Sequence, residues 1–201
     1  MAGTERSEPP PEPGRAGDRE PAVLLTGVGQ RYDIVSAFAR HTTVVAVDPN
    51  PLAPAQYAAH HRYPVPPISD PEYVPALQSL CRRHGVGVVV PLTDLDLEVL
   101  ALARAAGQLP AMVPDPEIAR STFDKYETDL LLRRLGLPSP ATVLPGQEVE
   151  HWPVLVKPRW GSGARSIFRA DDHEAAEFLV RYVAEPAMLQ PLMDGPEFSI
   201  D

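Results

Sequence analysis

Cysteine is almost missing from this chain: Cys81 is the single one in 201 residues, so no internal disulfide can form and the fold must rest on its core. At this length, a hydrophobic content of 44% supplies one sizeable core or two small ones without cross-links. Long apolar runs are missing as well. None approaches the ~20 residues a bilayer span needs, and the first residues carry neither the basic segment nor the apolar stretch of a signal peptide. A soluble, cytoplasmic protein with no membrane partner is expected. Blocks of lysine and arginine are the third absence. With a net charge of -9, the chain has nothing to neutralise a run of nucleic-acid phosphates. DNA and RNA are therefore not expected as partners, whereas a single nucleotide needs only a few local cations and backbone N–H groups.

What is present begins with MAGTERSEPPPEPGRAGDRE, proline with mixed charge and almost nothing apolar. Ordering it would cost entropy that no burial offsets, so residues 1–20 read as a disordered tail, with Pro9 to Pro11 too short a run for a strong polyproline ligand. From Ala22 the pattern changes to short apolar runs alternating with helical periodicity, the mark of a parallel sheet layered with helices. AVLLT (22–26), TVVAV (43–47) and GVVVP (87–91) read as strands, with Ile34, Val35 and Phe38 on the core face of a helix between the first two. Asp70 and Pro71 look like the cap and first residue of a second helix, which carries Tyr73, Leu77, Leu80, Cys81 and His84 on one face. Cys81 thus reads as packing, because no basic neighbour is placed to make a thiolate. Asp94 is expected to cap a third helix through Ala106, and AMV (111–113) to add a strand. The reading is an open α/β domain over residues 22–114.

A boundary follows in DPEIARSTFDKYETDLLLRRLGLPSP. Asp124 and Glu127 have capping-box spacing, Leu130, Leu131 and Leu135 make an apolar face, and Gly136 with Pro138 ends the helix. Residues 115–139 are thus a linker and helix. Beyond them VLVK, a glycine turn, RSIF, a helix over 173–183, then AMLQ and EFSID form an α+β unit over 140–201.

Three segments could carry chemistry. GVGQRY (27–32) lies at a strand-to-helix turn where N–H groups favour an anion, and Asp48 follows about twenty residues on, as a ribose-binding acid would. The dinucleotide fingerprint fails at Tyr32, which leaves a Rossmann-type dinucleotide site as the weaker alternative. Thr93, Asp94, Asp96 and Glu98 sit after the third strand without matching any metal-ligand spacing. The third segment is VLVKPRWGSGARSIF (154–168). It is no Walker A loop, since Lys157 precedes Gly161 and Gly163. Pro158 holds Lys157 extended, and Gly161-Ser162-Gly163 can turn sharply and expose N–H groups. A lysine and a glycine turn aimed at one volume suit phosphate oxygens, although a plain hairpin fits the same residues.

Lys125 about thirty residues upstream of that stretch and MLQPLMDGPEFSID about thirty downstream complete an ordered set: lysine, strand lysine with glycine loop, apolar hinge, glutamate. That set resembles the ATP-grasp family. The resemblance runs over residues 22–201, and VVAVDPNPLAPAQYAAH with VVVPLTDLDLEVL is most similar to the carbamoyl-phosphate synthase large chain and related single-unit ligases. It implies a pre-ATP-grasp α/β domain followed by a truncated α+β ATP-grasp domain. It further implies that Lys125 and Lys157 reach the ATP phosphates and that Gly161, Ser162 and Gly163 belong to the loop closing over them. Leu189 to Met193 would be the hinge, with Gln190, Leu192 and Met193 around adenine and Glu197 on the ribose. Pro191 departs from the pattern by lacking an N–H, which shifts the base contact toward Met193. The family's Mg2+ ligands would lie beyond residue 201, so the chain is expected to be an N-terminal part of a longer ligase and inactive by itself. The whole enzyme would activate a small carboxylate as an acylphosphate for attack by an amine. A non-catalytic nucleotide-binding regulatory module is the other reading of the same lysines.

Overall fold

The computed structural model describes residues 20–161, 165–196 and 198. The chain divides into two compact units after Leu92.

The first unit contains β1 (Ala22–Thr26), α1 (Tyr32–Ala39), β2 (Val44–Asp48), a short 3-10 turn (Pro54–Ala58), β3 (His61–Pro64), α2 (Tyr73–His84) and β4 (Val86–Pro91). The strands run parallel in the order β3-β2-β1-β4. Parallel strands are covered on both faces, which explains why β1 and β2 are continuous apolar runs and why every residue of β2 is buried. Leu25, Val28, Val35, Val44, Ala46 and Ala55 form one core cluster, with Phe38 partly buried against it. Tyr73, Leu77 and Leu80 are the buried residues of α2, which packs on β4. Gly85 ends α2 at φ 63, donating its N–H to the Cys81 carbonyl. Cys81 is half-buried, and burial pushes its thiol up to about 11, so it stays protonated at neutral pH.

Two details differ from the sequence reading. β3 was not expected, because HRYP is mostly exposed at the sheet edge and carries no apolar run. Asp70 does not stand at the N-cap. The helix begins at Tyr73, and Asp70 instead closes the preceding turn, accepting from the Glu72 N–H through Oδ1 (2.9 Å) and from the Tyr73 N–H through its carbonyl (3.0 Å).

The second unit contains α3 (Leu97–Ala105), α4 (Pro116–Phe123), α5 (Lys125–Arg134), β5 (Val154–Pro158), β6 (Phe168–Ala170), α6 (His173–Tyr182) and β7 (Ala187–Pro191). Its strands are antiparallel in the order β6-β5-β7. β5 alternates buried and half-buried positions, so Val154 and Val156 enter a core with Ala170, Ala176, Val183 and Leu189, while Leu155 and Lys157 belong to the other face. The hairpin expected from VLVK and RSIF is present, but its second strand starts at Phe168. α3 packs on α4, and α4 on α5.

Here too the sequence reading needs correction. Asp96 rather than Asp94 holds the N-cap of α3, and Asp94 contributes its carbonyl to the Leu97 N–H (3.3 Å). AMV (111–113) forms no strand beyond one bridge position at Ala111. The expected leucine face of α5 is also wrong: Leu130 and Leu135 are exposed, and the buried residue is Asp129. Leu131 and Leu132 are only half-buried. EFSID falls almost wholly outside the described residues. Among the described residues no helix is long and apolar enough to cross a membrane.

Candidate functional site

Lys157 and Lys125 are brought together by one joint in the second unit. Asp124 caps α5, accepting from the N–H groups of Tyr126 (2.9 Å) and Glu127 (3.4 Å). The same carboxylate takes the Arg159 guanidinium, whose Nε lies 3.2 Å away, and this ion pair raises the Arg159 pKa above its ordinary value. Arg159 also lies over the rings of Tyr126 (5.3 Å) and Trp160 (5.0 Å). The start of α5 is thereby clamped to the end of β5. Within that clamp the Lys125 N–H donates to the Arg159 carbonyl (3.0 Å), and its ammonium donates to the carbonyls of Arg159 (3.3 Å) and Gly161 (2.8 Å). Gly161 has φ 112, a conformation that side chains rarely adopt, so glycine is needed where the loop leaves β5.

Lys157 is extended before Pro158, as expected, and its ammonium donates to Gln190 Oε1 at 2.7 Å. Gln190 pairs with Leu155 across the β5–β7 ladder. Burial lowers the pKa of both lysines. For Lys157 the Lys125 charge lowers it further, while Asp94 and Asp124 partly restore that of Lys125. Two cations therefore share one neighbourhood, and their hydrogen-bond partners are neutral oxygens. Such a donor set fits a polyphosphate, which would supply the missing negative charge. It does not fit a metal ion: among the described residues no group of three histidine, cysteine or acidic side chains could hold one.

The hinge residues are placed less uniformly. The Leu192 N–H donates to the Pro153 carbonyl (3.0 Å), and Met193 is exposed. Ser162, Gly163 and Glu197 lie outside the described residues. Arg159, Asp129 and Thr142 belong to the site's surroundings and were not foreseen. Arg159 follows Lys157 by two positions in KPR, and Asp129 with Arg133 has the spacing of a helical ion pair, so both left a signal. Thr142 left none.

In the first unit Gly27 and Gly29 both have positive φ, as the tight GVGQRY turn requires. Asp48 is committed to that turn: Oδ2 accepts from the Gly29 N–H (2.9 Å) and Oδ1 from the Asn50 N–H (2.8 Å). An acid held on both oxygens and 8% exposed is a structural tie, which counts against the dinucleotide reading. Thr93 accepts from the Leu95 N–H (3.3 Å), and Asp96 is buried, so this segment stabilises the start of α3.

Residues 23–109 match the family described as PylC-like, N-terminal domain. The match crosses the division after Leu92. Among solved structures, the L-amino acid ligase from Bacillus licheniformis superposes with a TM-score of 0.71 at 21% identity, over 89% of this chain and 46% of that one. The N5-carboxyaminoimidazole synthetase from Staphylococcus aureus complexed with ADP gives 0.67 at 14% identity, over 88% and 48%. The fold is that of the ATP-grasp ligases. A curated relative, the D-alanine--D-alanine ligase of Fusobacterium nucleatum subsp. nucleatum, is 28% identical over 79 residues, which are 39% of this chain and 27% of the relative. The chain thus spans about half the length of the ATP-grasp structures it matches, 46% and 48%, and a smaller part of the curated relative. In ATP-grasp terms the four-stranded parallel sheet is the pre-ATP-grasp domain, and the second sheet is small.

Proposed function

We propose that this chain binds ATP as part of an ATP-dependent carboxylate–amine ligase. Lys125 and Lys157 hold the phosphates together with Gly161, Ser162 and Gly163. Gln190, Leu192 and Met193 surround the base, and Glu197 accepts from the ribose hydroxyls. The observation that carries this reading is the pair of lysines at the start of α5 and in β5, each with a lowered pKa and each hydrogen-bonded only to neutral oxygens, Lys125 to the Arg159 and Gly161 carbonyls and Lys157 to Gln190. The ADP complex of the S. aureus neighbour supports it.

When bound, ATP supplies the γ-phosphoryl group that turns a small carboxylate into an acylphosphate for attack by an amine. The residues of this chain contribute position and charge. Lys157 exchanges the Gln190 oxygen for phosphate oxygens, and Lys125 fixes the loop through Arg159 and Gly161 while turning its charge to the same phosphates. With the Leu192 N–H tied to Pro153 and Pro191 lacking one, the main-chain contact to adenine falls to Met193. Mg2+ belongs to this chemistry, but the described residues offer no ligand set for it. Within the class, VVAVDPNPLAPAQYAAH and VVVPLTDLDLEVL favour a carbamoyl-phosphate synthase-like ligase. The proposed domains are residues 22–114, 115–139 and 140–201, and the proposed compartment is the cytoplasm. Calorimetric titration of the chain with ATP tests the reading. Lys157→Ala should weaken binding about tenfold or more, as loss of a charge-assisted hydrogen bond requires, and equal affinity in both proteins would remove the site.

A further inference from the structure

Gln190 lies between two groups whose chemistry decides which way its amide faces. Thr142 is 3% exposed, and its polar atoms are committed. Its N–H donates to Asp129 Oδ2 (3.4 Å), its carbonyl accepts from Arg133 (3.2 Å), and its hydroxyl donates to the Pro140 carbonyl (3.0 Å). A hydroxyl has one hydrogen to give. With that hydrogen on Pro140, Thr142 Oγ1 can only accept from Gln190, whose Nε2 faces it at 3.1 Å. On the other side Lys157 is a donor only, so the group facing it at 2.7 Å must be Oε1. An acceptor-only neighbour and a donor-only neighbour therefore demand the same orientation. Turning the amide over would set donor against donor and acceptor against acceptor. The support behind Thr142 is firm, because Asp129 is 2% exposed and pairs with Arg133 at 2.7 Å, one turn along α5.

We propose that Thr142 is a positioning residue that locks Gln190 with its carbonyl oxygen toward the ligand, so that the site selects a base presenting an amino group there. This step rests on the nucleotide reading above, in which Gln190 meets the edge of the base. Once phosphates draw Lys157 away, Oε1 is left as an acceptor without its donor. The 6-amino group of adenine satisfies it, whereas the 6-oxo group of guanine sets two acceptors face to face. Selection between the two purines thus depends on a threonine that touches neither.

The full chain, its Thr142→Val variant (hydroxyl removed, shape kept) and its Thr142→Ser variant (hydroxyl kept) are titrated with ATP and with GTP. The Gln190 side-chain amide is followed by NMR without nucleotide. The wild type and Thr142→Ser should prefer ATP, and in Thr142→Val the ATP-to-GTP preference should fall about tenfold, the weight of one hydrogen bond to a buried group. The Gln190 amide resonances should shift in Thr142→Val and stay in place in Thr142→Ser. An unchanged purine ratio in a folded Thr142→Val overturns the base selection, and an unmoved amide signal overturns the lock. Should Thr142→Val fail to fold, the wild type still decides. One Gln190 Nε2 proton should exchange more slowly than those of exposed glutamines, and equal exchange overturns the lock. Failure of the wild type to bind either nucleotide removes the nucleotide reading and the base selection with it, whereas the amide signal continues to decide the lock.

Discussion

Asp124 does two jobs with one carboxylate: it caps α5 and neutralises Arg159 at the end of β5. Asp124→Ala should therefore cost more than a cap alone. The cap contributes about 1 kcal/mol and the charge-assisted bond about 1.5 to 3 kcal/mol, so a loss of roughly 2 to 4 kcal/mol in urea denaturation is expected. Asp124→Asn should retain part of it, because an amide can still cap. Lys157 carries a pH dependence with a definite sign. Its folded-state pKa lies below the ordinary 10.5, burial being the larger cause and Lys125 the second. Between that lowered value and 10.5 the unfolded chain binds more protons, so the lysine's destabilising effect is full at neutral pH and fades as pH rises through the window. Comparing melting temperature against pH for the wild type and Lys157→Ala isolates this contribution. The wild type should gain on the variant as pH rises through the window, and parallel curves would contradict it. At this scale the sequence was informative wherever local chemistry dictates geometry. Pro158 announces the extended Lys157, and Asp124 with Glu127 announces the cap. Thr142 was illegible because its importance comes from Asp129, Arg133 and Gln190, which reach it only through tertiary contact.

At the scale of elements, burial decides what periodicity leaves open. α2 and α5 both carry spaced apolar residues, yet Leu77 is fully buried in the first unit while Leu135 is 62% exposed. Leu77→Ala should cost about 2 to 5 kcal/mol and Leu135→Ala no more than about 0.5 kcal/mol, both read from chemical denaturation. A large loss at Leu135 would mean that the leucine face of α5 is covered after all. The central strands β1 and β2 were legible because parallel strands covered on both faces need continuous apolar runs. Strand β4, at one edge with Val89 as its buried residue, was legible because GVVVP carries such a run as well. β3 was hidden for the complementary reason: as an edge strand of HRYP it owes its place to main-chain pairing with β2 and to no pattern of its own. The strand expected at 111–113 shows the limit of the same rule, since three apolar residues satisfy the pattern yet pair at no more than the one bridge position at Ala111.

For the molecule as a whole, the mixed α/β character could be read from the change of pattern along the chain, and the ligase fold from the order of lysines and glycines. What could not be read was the tie of Asp48 to the glycine turn, which counts against a ribose-binding role for that acid. The central claim is that Lys125 and Lys157 form a phosphate site waiting for charge. It is tested most directly by calorimetric titration of ATP into the wild-type chain, Lys157→Ala and Lys125→Ala at neutral pH and moderate salt. Binding by the wild type, weakened about tenfold or more in each variant, is the expected result. Equal affinities in all three proteins, or no binding by a folded wild type, would contradict it.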